Sequence, residues 1–148
     1  MRLEEEINQK QFRNEFHKLA VNIIYTASWM KLKTQHVLRP HGISSEQYNV
    51  LRILRGQYPN PASVNMIIDR MLDKNSNASR IVDKLIEKDL VIRKESLTDR
   101  RQVDVFINAN GQKLLEEIDM DNANNELFQL ISTEEAAKIN QILDKIRG

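Results

Sequence analysis

The run from Lys74 to Gly111 constrains the fold of this chain more than any other feature. Small polar residues lead into an apolar-periodic segment at 75–88, whose inward positions are Ala78, Ile81, Val82, Leu85 and Ile86. Two segments rich in β-branched residues follow at 90–94 and 103–107, separated by a charged loop at 96–101. The pattern predicts a helix followed by a β-hairpin.

The chain before this run is predicted to be helical. Residues 10–37 repeat apolar side chains at spacings of three and four, which predicts one long amphipathic helix ended by Pro40 and Gly42. Ser44 and Gln47 form a capping-box pattern that opens a helix through about Arg55. A short helix at 64–72 and a polar turn at 73–74 then lead into the helix at 75–88.

The chain after the hairpin is also predicted to be helical. Leu114, Leu115 and Ile118 keep helical spacing beyond Asn110-Gly111, and residues 119–126 suggest an acidic, exposed face. A second capping box at 132–135 opens a last helix, whose apolar stripe is Ala136, Ile139, Ile142, Leu143 and Ile146. The first and last helices are too amphipathic to stand alone, and folding together across a two-fold axis would bury their stripes.

This order of elements predicts a mainly α fold. Residues 43–110 form a winged helix-turn-helix with a small β wing, and residues 1–40 plus 111–148 form a helical dimerisation region. A chain of 148 residues fits one such compact unit. We expect a cytoplasmic protein with no membrane contact, because no apolar run reaches the length of a membrane span and the acidic N-terminus is no signal peptide.

Charge is distributed unevenly along the chain, although the net charge is only +1. Residues 1–69 and 70–102 each carry nine Lys/Arg against six Asp/Glu, whereas residues 103–148 carry four against nine. A local basic surface, rather than the total charge, steers a polyanion. The basic excess therefore lies on and before the helix–hairpin run.

A helix that begins with small hydrogen-bonding residues, next to a hairpin tipped with arginines, suits duplex DNA. The helix can enter the major groove, and the hairpin can reach the minor groove or the backbone. The candidate DNA-binding residues are Lys74, Asn75, Ser76, Asn77, Ser79, Arg80, Lys84, Lys94, Asp99, Arg100, Arg101 and Gln102.

Each candidate on the helix also has a purely structural interpretation. Asn75 is as suited to capping the helix as to contacting a base, whereas Asn77 and Ser79 lie past the predicted cap and favour contact. Arg80 and Lys84 lie one turn apart on the exposed face, where such charges are often only solvated. Lys94 could contact phosphate or keep the wing strand soluble.

These segments resemble the MarR family of bacterial transcriptional regulators over nearly the whole chain. The matching motifs are the reading helix from Ser76 to Leu85, the strand 90–92, Asp99-x-Arg101, the strand 103–107 and Asn110-Gly111. The chain departs from the family at Asp89, where Gly is usual at a position that often needs a left-handed C-cap. It departs again at Asn108, where Thr is usual and where Asn can cap a helix equally well.

The resemblance implies a homodimer that binds a pseudo-palindromic operator in double-stranded DNA, most often as a repressor. It implies that Arg101 inserts into the minor groove, that Asp99 holds its guanidinium, and that Arg100 and Gln102 touch the backbone. It also implies release by a small aromatic or anionic effector bound between the dimerisation helices and the winged lobe. Tyr25, Trp29, Met30 and Tyr48 are the candidate pocket residues, although aromatic residues at helical spacing more often pack in a core or a dimer interface.

Other classes of function have less support in the sequence. His17, His36 and His41 lack the spacing of a helical metal site, and the chain contains no cysteine, so no metal is expected. No catalytic constellation or phosphate-binding glycine loop is present, so neither an enzyme nor a cofactor is expected. The alternative to DNA binding is a winged-helix module that docks another protein through its charged wing.

Overall fold

The structure is a computed structural model that describes residues 2–97, 99, 101–120 and 128–148. Its helices are α1 (Leu3–Glu6), α2 (Glu15–Leu38), a 3₁₀ turn (Arg39–His41), α3 (Ser45–Gln57), α4 (Val64–Arg70), α5 (Ala78–Glu87), α6 (Ala109–Met120) and α7 (Thr133–Arg147). Its strands are β1 (Ala62–Ser63), β2 (Val91–Glu95) and β3 (Val103–Ile107). The fold is a winged helix-turn-helix with helical extensions, as the sequence predicts.

The hairpin and β1 form one antiparallel sheet of order β1-β3-β2. Val91 pairs with Ile107 and Glu95 pairs with Val103, while Ala62 in β1 pairs with Val105. Helix α3 contacts α2, α4, α5, α6 and β3, so it lies at the centre of the winged lobe. Its Val50, Leu51 and Leu54 are fully buried, as are Val82 and Leu85 of α5, and they form the core that fixes the reading helix in place.

Side-chain caps explain where the helices begin. Ser44 and Ser132 form the two predicted capping boxes, with Gln47 and Glu135 respectively. The long helix begins at Glu15 rather than near residue 10, because the Asn14 side chain accepts a hydrogen bond from the His17 N–H at 2.9 Å. That bond satisfies one of the free N–H groups of the first turn.

The reading helix and the helix before it are both shorter than predicted. Helix α5 begins at Ala78 rather than Asn75, because Asn77 is the N-cap: its side chain accepts from the Arg80 N–H at 3.0 Å. Helix α4 ends at Arg70, since Met71 already has extended backbone angles. The predicted placement of Asn77 past the cap is therefore wrong.

The terminal helices expose much of their apolar surface. In α2 only Leu38 is buried, and Phe16 and Ile24 are exposed. In α7 the stripe residues Ile139, Ile142 and Ile146 are 45%, 50% and 54% exposed. The inward packing predicted for this stripe is thus not provided by the described part of its own chain.

Two further observations concern the rest of the chain. No helix among the described residues is long and apolar enough to cross a membrane. Most of the predicted acidic face at 119–126 lies outside the described residues, but Asp119 is described and pairs with Arg55 of α3 at 2.6 Å. This ion pair joins the winged lobe to α6.

Gly111 allows α6 to begin close against the chain at Leu90. A Cβ at Gly111 would lie 2.3 Å from the Leu90 carbonyl oxygen and 2.7 Å from Cγ1 of Ile107. We expect Gly111→Ala to lower the free energy of unfolding by about 1–3 kcal/mol, the usual effect of overpacking. Urea denaturation measures this change.

Gly56→Ala is the matched control for this substitution. Gly56 lies inside α3, where an added Cβ would meet no described atom within 4 Å beyond its chain neighbours and its own helix backbone. There alanine should stabilise the protein by about 0.5–1 kcal/mol through higher helix propensity. If both variants gained stability, α6 would not approach Leu90 as closely as described.

Candidate nucleic-acid interface

The first turn of α5 presents polar side chains to solvent. Ser79 and Arg80 are exposed there, directly after the Asn77 cap, whose side chain is also at the surface. The opposite face of the helix is held by the buried Ala78 and Val82. Because the apolar face anchors the helix in the core, its polar first turn projects outward as a reading helix requires.

The turn before α5 is built by Lys74, Asn75 and Ser76, and these residues have structural partners. The Lys74 ammonium donates to the carbonyl oxygens of Ile68 and Asp69, the last turn of α4. The Asn75 N–H donates to the Asp73 carboxylate at 3.0 Å, and the Ser76 N–H donates to the Asp73 carbonyl oxygen at 3.3 Å. Lys74 therefore caps α4, and Asn75 precedes the helix instead of opening it.

Basic residues further along α5 and in the wing have partners of different kinds. Lys84 pairs with the Glu87 carboxylate at 2.8 Å, whereas the Lys94 ammonium lies 5.7 Å from the centroid of the Phe106 ring, a contact that leaves its charge in place. By contrast, no ion pair joins Arg80 or Arg101 to a carboxylate among the residues that the structure describes. These two exposed arginines are the cations most readily offered to a phosphate or a base.

Sequence reasoning missed two contacts that orient the reading helix. Arg93 of β2 forms an ion pair with Asp83 of α5, which joins the helix to the wing. Lys88 donates to the Gly42 carbonyl oxygen and to the Gln47 side chain, which joins the end of α5 to the start of α3. Neither pair has a local sequence signal, since the partners lie ten and more than forty residues apart.

The wing turn is organised by Asp99, but not in the predicted way. Its carboxylate accepts from the backbone N–H of Arg101 at 2.9 Å, and its carbonyl oxygen accepts from the Gln102 N–H at 2.9 Å. Asp99 thus shapes the turn through backbone N–H groups. The prediction was that it would hold the Arg101 guanidinium instead. Arg101 and Gln102 are exposed, and Arg100 lies outside the described residues.

A cavity of about 790 Å³ lies between α2, α3 and the turn that follows α4. Its lining includes Met30, Thr34, Tyr48, Arg52 and Met71. Of the four predicted pocket residues, Met30 and Tyr48 are among the lining residues. The Tyr25 hydroxyl instead donates to Glu6 of α1 at 2.8 Å, and that bond raises the pKa of Tyr25. Trp29 is exposed, and the Lys33 ammonium lies 5.7 Å from the centroid of its ring.

The cavity wall contains charged groups that already interact with one another. Lys31 and Glu46 face each other at 3.5 Å across the α2–α3 boundary. The pKa of Glu46 lies below its ordinary value, mainly through a hydrogen bond from its own backbone N–H, with further help from Ser44 and Lys31. Arg52 donates to the Tyr48 hydroxyl at 3.1 Å and lies 3.5 Å from Asp119.

A buried hydroxyl adds a polar group to the same wall. The Ser45 Oγ is buried and has no hydrogen-bond partner among the described residues. A buried polar atom without a partner is unfavourable, so a ligand with a donor or acceptor could gain affinity at this point. Among the described residues, no group of three His, Asp or Glu side chains is placed to hold a metal ion.

A reading helix anchored by its apolar face and flanked by an arginine-bearing hairpin defines a winged helix-turn-helix DNA-binding protein. Comparison with known proteins identifies the family within this class. Residues 41–102 match the sequence profile of the MarR family. The chain is 32% identical over 111 residues to the HTH-type transcriptional regulator MhqR of Bacillus subtilis, covering 74% of this chain and 75% of that protein. The chain belongs to the MarR family of transcriptional regulators.

Solved structures share the fold at low sequence identity. The Staphylococcus aureus MepR–DNA complex matches with a TM-score of 0.75 at 22% identity, covering 92% of this chain and 97% of that one. Bordetella bronchiseptica BpsR, studied for regulation of its DNA binding by 6-hydroxynicotinic acid, matches with a TM-score of 0.72 at 18% identity. That match covers 88% of this chain and 99% of BpsR.

Proposed function

We propose that this regulator is a homodimeric repressor that binds a pseudo-palindromic operator and is released by a small effector. The observation that carries the DNA-binding part is the exposed first turn of α5, with Ser79 and Arg80, beside a wing that exposes Arg101. Arg80 contacts bases or phosphates in the major groove, and Arg101 enters the minor groove. Lys94 and Gln102 add contacts to the DNA backbone.

We propose that the dimer forms through residues 1–40 plus 111–148, with residues 43–110 as the DNA-binding lobe. The support is the apolar surface that α2 and α7 leave exposed, including Phe16, Ile24 and the isoleucine stripe of α7. Fully burying one such side chain contributes about 1.5–3 kcal/mol, so covering several half-exposed ones by a partner favours association. A two-fold axis then presents two reading helices to two half-sites.

We propose that the effector binds in the cavity between α2 and α3. The cavity offers Tyr48 and Met71 for an aromatic ring, and Lys31 and Arg52 for an anionic group. A ligand there touches both α2, in the dimerisation region, and α3, which packs against the reading helix. Its binding energy can therefore favour one separation of the two reading helices over another. The effect of 6-hydroxynicotinic acid on BpsR is the precedent.

The test is fluorescence anisotropy with labelled duplexes that tile the upstream region of the gene, repeated at several salt concentrations. We expect nanomolar binding to one duplex and a steep fall with salt, because each phosphate contact releases counterions with a slope of about −0.9 per contact. Weak binding that is equal for all duplexes would contradict specific recognition. Addition of aromatic acids to the complex then tests release, with Tyr48→Ala as the pocket variant.

A further inference from the structure

We propose that Asp89, Asn108 and Asn110 form a latch that positions the reading helix for DNA binding. The inference rests on the proposed dimeric DNA binding and adds a device that sets how the reading helix is held. The three residues lie where the end of α5 meets the start of α6, outside every DNA contact described above. We call them the Asp89 latch.

Asp89 lies in the left-handed region of backbone conformation, which glycine adopts readily and residues with a Cβ adopt less often. Its φ is +54°, and it follows α5 at the left-handed position. The Asp89 N–H donates to the Ile86 carbonyl oxygen at 2.9 Å and the Leu90 N–H donates to that of Leu85 at 3.0 Å, which is a complete Schellman motif. An aspartate here is less favourable than a glycine, which has no Cβ to crowd the backbone, so interactions that compensate stabilise it.

Two asparagine side chains from the start of α6 supply that compensation. The Asn108 amide donates to the Asp89 carbonyl oxygen at 2.9 Å, and the Asn110 amide donates to the Asp89 carboxylate at 2.8 Å. Because the acceptor is a carboxylate, the second bond is charge-assisted and stronger than a neutral one. Glycine at this position would remove the strain but would offer Asn110 no carboxylate.

Asn108 joins the two helices directly. Its side-chain oxygen accepts from the Gly111 N–H at 2.9 Å and caps α6, while its amide nitrogen bonds Asp89 at the end of α5. The Asn108 backbone N–H also donates to the Leu90 carbonyl oxygen at 3.2 Å. One side chain thus closes the last turn of the reading helix and opens the helix that leads into the dimerisation region.

The consequence concerns the angle between α5 and α6. Binding to two half-sites requires both reading helices at a fixed separation, and α6 connects each of them to the dimer arm. Without the latch, α5 keeps its buried face but gains freedom to rotate about its C-terminal end. The latch therefore acts on DNA binding through orientation, without touching DNA.

Two variants separate positioning from stability. Asn108→Thr with Asn110→Ala removes both amide donors, while the threonine hydroxyl can still cap α6. This double variant leaves Asp89 strained, so it should be less stable than the parent. Adding Asp89→Gly relieves the strain and should restore the urea midpoint, but it does not restore the latch.

The readouts are operator affinity and the distance between the two reading helices. The chain has no cysteine, so Glu87→Cys gives one spin-label site per protomer at the end of α5, and double electron–electron resonance measures the separation in the dimer. We expect the double and triple variants to broaden the distance distribution and to lose about three- to tenfold in operator affinity, which is less than two full hydrogen bonds would give, because their loss reaches DNA binding only through the orientation of α5.

The triple variant decides the proposal. If it regained the parent's distance distribution and affinity together with its stability, the three residues would serve stability alone and the latch would be refuted. The parent protein could also bind the operator without giving a measurable distance between the labels of two protomers. There would then be no pair of reading helices to hold at a fixed separation, and the latch would be refuted. Parent protein that binds no duplex specifically would refute the proposed function itself.

Discussion

Arg101→Ala is expected to weaken operator binding by about 1–3 kcal/mol at matched salt, roughly 5- to 150-fold in Kd. The exposed guanidinium at the wing has no carboxylate partner among the described residues, so it is available for the negative potential of a narrow minor groove. Anisotropy with the operator duplex measures the loss. Arg101→Lys should recover only part of it, since lysine keeps the charge but not the planar donor group.

The control for the wing arginine is Arg13→Ala. Arg13 is exposed in the segment before α2, and its removal takes away the same charge from a region outside the winged lobe. We expect that variant to bind the operator like the parent. Equal binding by Arg101→Ala and the parent at the same salt would rule out a role for the wing arginine and would limit recognition to α5.

Ile139→Asp is expected to have the second large effect, by dissociating the dimer. The side chain belongs to the half-exposed stripe of α7, which we propose is covered by the partner subunit. A two-fold interface would bury the new charge once in each protomer, and an uncompensated buried charge is unfavourable by about 3–5 kcal/mol. Analytical ultracentrifugation should show monomers, and specific operator binding should be lost with the second half-site contact.

Gln141→Glu is the matched control on the same helix. It adds the same charge two residues further along, at an exposed position whose neighbours one turn away on either side are not members of the stripe. We expect this variant to remain dimeric and to bind the operator. If Ile139→Asp also remained dimeric at micromolar concentration, α7 would not form the interface, and the proposed dimerisation region would need to be redrawn.

Local sequence signals predicted most of the winged lobe. The capping boxes at Ser44 and Ser132 and the buried positions Ala78, Val82 and Leu85 are confirmed, because each depends on residues a few positions apart. Asp89 was identified as a left-handed position from its departure from the family pattern, and its φ of +54° agrees. MarR family membership, expected from the same motifs, is confirmed by the comparisons.

The errors arose where several residues compete for one role or where contacts are distant in sequence. Asn75, Ser76 and Asn77 are all good N-caps, so only the backbone path shows that Asn77 takes the position. Tyr25 was placed in the pocket from the family resemblance, yet it bonds Glu6 of α1. The bonds from Asn108 and Asn110 to Asp89 span about twenty residues and have no local sequence signature.

The exposed stripe of α7 has a consequence for how the regulator responds to its own abundance. If each protomer completes its fold only by covering its partner's helix, then folding and association are one equilibrium, and the melting temperature rises with protein concentration. Dilute chains would expose isoleucines to proteases and chaperones. The cellular level of the protein would then control the fraction of chains competent to bind DNA, in addition to any effector.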